Sequence, residues 1–419
     1  MAQRLKEYDI ALSTSEQQTR LPEKTSCQQI STCASPQSES DKSSKAVLKK
    51  QEHPDEYSNV FAGKSACQIL RSNDIEIGEK LGEGGFCEVH QVMIFHGEAQ
   101  HKPLAIKFLK RVVLDDELLY ERGAADLVRE ARFLAKLEHK NIIKLRGISA
   151  PDENFFFLIL DRLYETLDDR MNLWRQGKGF ARQEQHGLFT IFHKKPDPNE
   201  RRLDDLKERL KVALEIADAL EYMHSLNILH RDIKPDNMGF DSDGNIQLID
   251  FGLAKQLKES DRNTNGKYEL TGNTGVWCYM APEVAKGWAY DMTVDVYSFG
   301  ILLWEICSLD RPFSQYTKEE HTNMVVNGET RLDIALWWPV ELQWLLKKCW
   351  TFFPSGRPSF IDIRDVIEEI IQDSTAGEYD ESVARVGFSS LRTWRRNKTS
   401  DDHEIHNLRD AKSTRRSHR

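Results

Sequence analysis

Several groups of residues in this sequence have the types and spacing for chemistry on phosphate. Gly82-Glu83-Gly84-Gly85-Phe86-Cys87-Glu88-Val89 lies between two predicted strands. Its glycines let backbone amides approach phosphate oxygens with no side chain in the way. A plain hairpin turn would look the same. Lys107 follows 25 residues after Gly82, on an otherwise apolar strand. Burying a lysine unpaired is costly, so it needs an anionic partner. Glu130 on the next helix supplies one carboxylate, and nucleotide phosphates would supply the rest; taken alone, a snorkelling surface lysine is the plainer reading. His230-Arg231-Asp232-Ile233-Lys234-Pro235-Asp236-Asn237 then concentrates a carboxylate, a cation and an amide after a helix. The apolar run Ile246-Gln247-Leu248-Ile249 leads into Asp250-Phe251-Gly252, and Ala281-Pro282-Glu283 comes later. Gly63-Lys64-Ser65 invites a Walker-type reading, but that motif needs a glycine where Ser58 stands.

The elements that must position these groups fall into two sets. The first reads as strands: Asp74-Ile75-Glu76-Ile77 and Cys87 to Ile94 flank the glycine turn, and Leu104 to Leu109 carries Lys107. A helix follows, with Leu127, Ala131, Leu134 and Leu137 on one stripe. Two more strands are predicted at Ile142 to Gly147 and Phe155 to Asp161. The second set is mainly helical. Leu206, Leu210, Ala213, Ala217 and Leu220 share one face, and Val294 to Ile306 is apolar almost all round, as a buried helix would be. The polar stretch from Asn172 to Arg202 reads as a long loop or insertion. A small strand-rich lobe beside a larger helical lobe leaves a cleft where a ligand would bind.

Composition narrows the function classes. The chain has 419 residues, 39% hydrophobic and 30% charged, with a net charge of -9. That balance gives no reason to expect nucleic-acid binding. No apolar run approaches the ~18 residues of a membrane span, and no secretory or transit peptide is expected from an N-terminus that carries Glu7 and Asp9. Seven cysteines without paired spacing fit a reducing compartment, so an intracellular and cytoplasmic location is expected, with the nucleus left open. Residues 1–70 are expected to form a disordered polar tail. Residues 373–419 are expected to form a mobile charged tail, with Trp394-Arg395-Arg396 as a docking element in the less favoured reading.

These motifs, in this order, resemble those of the eukaryotic protein kinases, over roughly 70% of the chain from about Asp74 to Ile371. The resemblance implies an α+β, bilobal protein-kinase fold over 71–372. Its N-lobe (71–161) would hold a small β-sheet and one helix, and its C-lobe (162–372) would be mainly helical, with the insertion at 172–202. It further implies ATP and Mg2+ as cofactors and a protein as substrate. Amides of Gly82, Glu83, Gly84, Gly85 and Phe86 would cover the ATP phosphates, while Val89 and Ala105 pack on adenine. Lys107, held by Glu130, would contact the α- and β-phosphates. Asp250 and Asn237, as hard oxygen ligands, would hold Mg2+. Asp232 would accept or orient the substrate hydroxyl's proton, and Lys234 would stabilise charge on the transferred phosphoryl. The backbone of Asp161-Arg162-Leu163 would read the adenine edge, with Leu160 guarding the back of the pocket. Glu283 and Arg357 resemble an anchoring ion pair, and Asp295 would hold the catalytic-loop backbone.

Lys234, two residues after Asp232, follows the serine/threonine pattern. The sequence also departs from the family. Val276 stands where a hydroxyl-bearing threonine usually bridges the catalytic Asp and Lys, which leaves dual specificity open. Cys87 replaces the usual third glycine, either inertly or as a redox or covalent handle. Gly239 replaces a large apolar residue under adenine, which would weaken adenine binding or admit larger purines. Arg231 beside Asp232 implies control by a phosphate from an upstream kinase or from the chain itself. Thr271 and Thr274 are the favoured sites over Thr264 and Tyr268, and Lys255 is a candidate second cation. The rival reading is a kinase-fold scaffold without useful turnover.

Overall fold

Apolar alternation between Ile75 and Asp161 builds most of a six-stranded sheet in the computed structural model, which describes residues 68–95, 103–150, 153, 155–177 and 198–373. The strands are β1 (Gln68–Leu70), β2 (Ile75–Glu83), β3 (Cys87–Phe95), β4 (Leu104–Leu109), β5 (Leu145–Ser149) and β6 (Phe157–Asp161). Their order across the sheet is β1-β5-β6-β4-β3-β2. Only the β1–β5 pair is parallel. Helix α1 (Glu117–Leu134) packs against the sheet through Leu127, Ala131 and Leu134. Asp116 starts the helix by accepting the Leu119 amide at 3.0 Å, which satisfies one of its orphan donors.

The helical half contains α2 (Leu167–Arg175), α3 (Pro198–Ser225), α4 (Thr293–Ser308), α5 (Val340–Cys349) and α6 (Phe360–Gln372). Helix α4 is buried on every side from Val294 to Cys307, as its near-continuous apolar sequence requires. Helices α3, α5 and α6 pack around it or one another. Helices α2 and α6 begin with reciprocal capping boxes, Thr166 with Asp169 and Ser359 with Asp362. The sheet lobe and the helical lobe together form the expected bilobal α+β architecture.

Several boundaries differ from the sequence reading. Strand β1 lies within the stretch read as a tail; three residues with one buried side chain carry no period to detect. The strand expected at Ile142 to Gly147 is displaced to Leu145–Ser149. Residues 141–143 instead bond across to β10 (Ile246–Leu248), with Leu248 N–H donating to Asn141 O at 2.8 Å and Ile143 N–H to Leu248 O at 3.0 Å. The ends of the expected 172–202 loop are helical, since α2 runs to Arg175 and α3 opens at Pro198, a residue suited to a first helical turn. Residues 178–197 of that insertion, most of both expected tails, and Trp394-Arg395-Arg396 lie outside the described residues. Among the described residues no disulfide is formed, and no helix is long and apolar enough to cross a membrane.

Candidate active site

The catalytic loop hangs from a buried carboxylate. Strand β8 (Ile228–Leu229) follows α3, and the chain then turns under α4. Asp295 in the first turn of α4 accepts the amides of His230 at 2.8 Å and Arg231 at 2.9 Å, and meets His224 Nε2 at 3.0 Å. Burial opposes its charge, but these partners hold the Asp295 carboxyl below the usual carboxylate range. The same bonds hold Arg231 at φ 67°, a left-handed conformation that costs an ordinary residue about 1–2 kcal/mol. Asp232 is thereby fixed beside Lys234, whose Nζ donates to its Oδ2 at 2.7 Å. Asn237 Nδ2 donates to both the Asp232 backbone oxygen and Oδ2 at 2.8 Å.

A short hairpin brings the two expected metal ligands together. Strands β9 (Met238–Phe240) and β10 pair antiparallel, so Asn237, just before one, comes beside Asp250, just after the other. Ile249 N–H donates to Asn237 O at 2.9 Å and closes this end. The amide nitrogen of Asn237 is used by Asp232, which leaves its amide oxygen for a cation. Asp250 is 45% exposed in its side chain, and its Oδ1 accepts the Gly252 amide at 3.1 Å. Burial opposes its charge, yet Lys107 and that amide hold its carboxyl below the usual range. Among the described residues no cluster of three or more His, Cys, Asp or Glu could hold a metal. Two hard oxygen ligands suit Mg2+, which takes its remaining ligands from phosphates and water.

Lys107 on β4 completes the cleft. Its Nζ bonds Glu130 Oε2 of α1 at 2.5 Å and lies 4.0 Å from Asp250 Oδ1. Burial disfavours the ammonium, but the Glu130 and Asp250 carboxylates raise its pKa and keep it charged. Gly82, Glu83, Gly84 and Gly85 are exposed at the β2–β3 turn, which the Gly84 N–H to Cys87 O bond of 2.8 Å closes. Glu83 pairs with Lys80 at 2.6 Å and with Lys110 at 3.6 Å. Phe86 packs its ring against α1 at Gly123. Val89 pairs with Lys107 across β3–β4, and Ala105 is buried opposite Leu160. Asp161 spends its carboxylate on Arg146, at 2.6 and 2.8 Å, while Arg162 N–H donates to Pro103 O at 3.0 Å.

The structure revises several side-chain expectations. Cys87 is only 8% exposed, and burial pushes its thiol up to about 12, which argues against a reactive handle. Gly239 leaves no simple hole, because Leu163 Cδ1 lies 2.8 Å from where a Cβ would stand. Arg231 is the cation that meets Thr271, its Nη1 donating to Oγ1 at 3.0 Å, whereas Lys255 lies exposed on β11 (Lys255–Gln256). Thr274 Oγ1 bonds Thr271, and Tyr268 is buried. Glu283 and Arg357 form the expected buried pair, with Oε–Nη distances of 2.5 and 3.0 Å. The sequence reading passed over Arg129 and Asp126 of α1, which face the Asp250 turn. Their only sequence signal was adjacency to Glu130 on the same helix.

A family model described as protein tyrosine and serine/threonine kinase matches residues 75–367. A dual specificity protein kinase of Dictyostelium discoideum is 28% identical over 309 residues, 72% of this chain and 42% of the relative. A probable LIM domain-containing serine/threonine-protein kinase of the same organism is 32% identical over 294 residues, 67% of this chain and 29% of the relative. A serine/threonine-protein kinase of Arabidopsis thaliana is 28% identical over 303 residues, 71% of this chain and 45% of the relative. The chain thus spans less than half the length of these relatives. The matched region contains the glycine turn, Lys107, the catalytic loop and the Asp250 turn, and the chain belongs to the protein tyrosine and serine/threonine kinase family.

Proposed function

We propose that this protein transfers the γ-phosphoryl group of ATP to serine and threonine hydroxyls of protein substrates. The observation that carries this reading is the convergence of Lys107, Asp232, Asn237 and Asp250 on one cleft, with Lys234 2.7 Å from Asp232. In the reaction the substrate oxygen forms a bond to phosphorus as the bond to the ADP oxygen breaks. Asp232 orients the hydroxyl and receives its proton. Lys234 balances charge on the moving phosphoryl group, and Lys107 holds the phosphates left behind. Bound through Asn237 and Asp250, Mg2+ would neutralise charge across the phosphates. Because the transition state is loose, positioning and electrostatics supply most of the acceleration.

Val276 favours a second reading, dual specificity, because its side chain cannot make the hydroxyl bridge usual in serine/threonine enzymes. One relative's name carries that description. The Arg231–Thr271 bond supports control by activation-loop phosphorylation, either by the chain itself or by an upstream kinase. A signalling role in the cytoplasm or nucleus belongs to the same reading.

The test is incubation of the purified chain with Mg-ATP and generic protein substrates, with Asp232→Asn in parallel, followed by phosphosite mapping. Phosphoserine and phosphothreonine from the wild type alone are expected. Phosphotyrosine would move the assignment to dual specificity. Nucleotide binding without any transfer, also after treatment with candidate upstream kinases, would leave a scaffold.

A further inference from the structure

We propose that Arg129 is a positioning residue that ties helix α1 to the turn carrying Asp250. Asp250 sits at φ 65°, a backbone conformation that side-chain-bearing residues avoid, so its surroundings must hold it there. Its own carboxylate does part of this through the Gly252 amide. Two arginines then grip carbonyls further along the turn, those of Gly252 and Leu253. Arg231 Nε of the catalytic loop donates to Leu253 O at 2.7 Å. Arg129 Nη1 donates to Gly252 O. One grip therefore comes from the helical lobe and the other from the sheet lobe.

The Arg129 grip is itself supported. Asp126, one turn earlier on α1, accepts from the same Nη1 at 2.8 Å. The helix also touches the turn directly, since Asp126 Cβ lies 3.3 Å from where a Cβ on Gly252 would stand. Glu130, the very next residue, bonds Lys107. Adjacent residues of one helix therefore reach the phosphate-binding lysine and the carboxylate turn, so a shift of α1 would disturb both. The guanidinium of Arg129 is spent on Asp126 and the Gly252 carbonyl, so it acts through the conformation of Asp250.

The inference rests on the kinase reading for its effect on turnover, so its test also measures binding. Arg129→Gln, Arg129→Lys and Asp126→Asn in the full chain would be compared with the wild type. Two quantities are read: kcat and KM for ATP against Mg2+, and thermal stabilisation by ATP with Mg2+ or with EDTA. Loss of one hydrogen bond from a charged donor predicts that Arg129→Gln lowers kcat about tenfold and raises the Mg2+ needed for half-maximal stabilisation about as much. ATP stabilisation in EDTA should be unchanged, and Arg129→Lys should recover part of both losses. Asp126→Asn should shift the Mg2+ response in the same direction, but less. An unaltered Mg2+ response in Arg129→Gln overturns the proposal, as does an equal loss of ATP binding with and without Mg2+. If the wild type transfers no phosphate while its Mg2+ response still depends on Arg129, the proposed activity fails and the positioning role stands.

Discussion

Leu163 and Gly239 pack directly against each other, with Leu163 Cδ1 2.8 Å from the position a Cβ at 239 would take. Glu165 O lies 3.0 Å from the same point, and Thr166 on β7 (Glu165–Thr166) pairs with Gly239. The absence of a side chain is therefore used by Leu163, the last residue of the expected adenine-reading backbone, and by Glu165 just after it. Gly239→Ala should force both neighbours outward, and overpacking of this kind costs about 1–3 kcal/mol. ATP binding should weaken severalfold, which titration of thermal stabilisation with nucleotide would measure. Unchanged or tighter binding would show that Leu163 has room to move.

Asp250→Asn should reduce phosphoryl transfer by roughly a hundredfold or more, because the expected cation loses its ionised ligand. The fold should survive, since the Asp250 side chain remains 45% exposed and its Oδ1–Gly252 bond can be kept by the amide oxygen. Single-turnover assays with circular dichroism on the same sample would separate chemistry from folding. Near-normal turnover by the folded variant is the outcome that removes Asp250 from the metal site.

Thr271 receives the Arg231 guanidinium at 3.0 Å, and its carbonyl accepts the Tyr290 hydroxyl at 2.9 Å. A phosphate there would add a charge of about -1.5 to -2 against a guanidinium already in place. Thr271→Ala should therefore lower kcat in preparations whose wild type carries the phosphate, and should abolish the response to phosphatase treatment. Identical phosphatase sensitivity in wild type and variant would transfer the role to Thr274 or to another site.

Glu305 of α4 is fully buried beneath the segment before Ala281, where it accepts the Tyr279 hydroxyl at 2.6 Å. Burial pushes its carboxyl up to about 7, although Tyr279 and Arg311 pull it back. A carboxyl whose folded pKa is raised contributes stability that is full below the unfolded value. That contribution is lost as pH rises through about 7, and its whole span is on the order of 3 kcal/mol. Glu305→Gln should remove this part of the slope, so the melting temperatures of wild type and variant should diverge between about pH 4.5 and about pH 7, with the wild type losing more. Parallel curves would place the titration elsewhere.

Much of the site was readable in the linear chain because its groups come from compact local segments. Asp232, Lys234 and Asn237 fall within one loop, and the β9–β10 hairpin that joins Asn237 to Asp250 spans few residues. Strand β4 and helix α4 were likewise legible, because periodicity and apolar composition are properties of neighbours in sequence. Tertiary structure decided which way the remaining side chains faced. The Arg129–Gly252 bond joins residues 123 apart, and nothing in helical periodicity distinguishes it from a solvated arginine. Cys87 is shielded because the sheet turns it inward, and the space at Gly239 is filled because Leu163 returns over it. Such contacts depend on sheet register and on how the two lobes meet; those arise from packing across the whole chain, whereas the chemical identity of the site was carried by residues that fold beside their own neighbours.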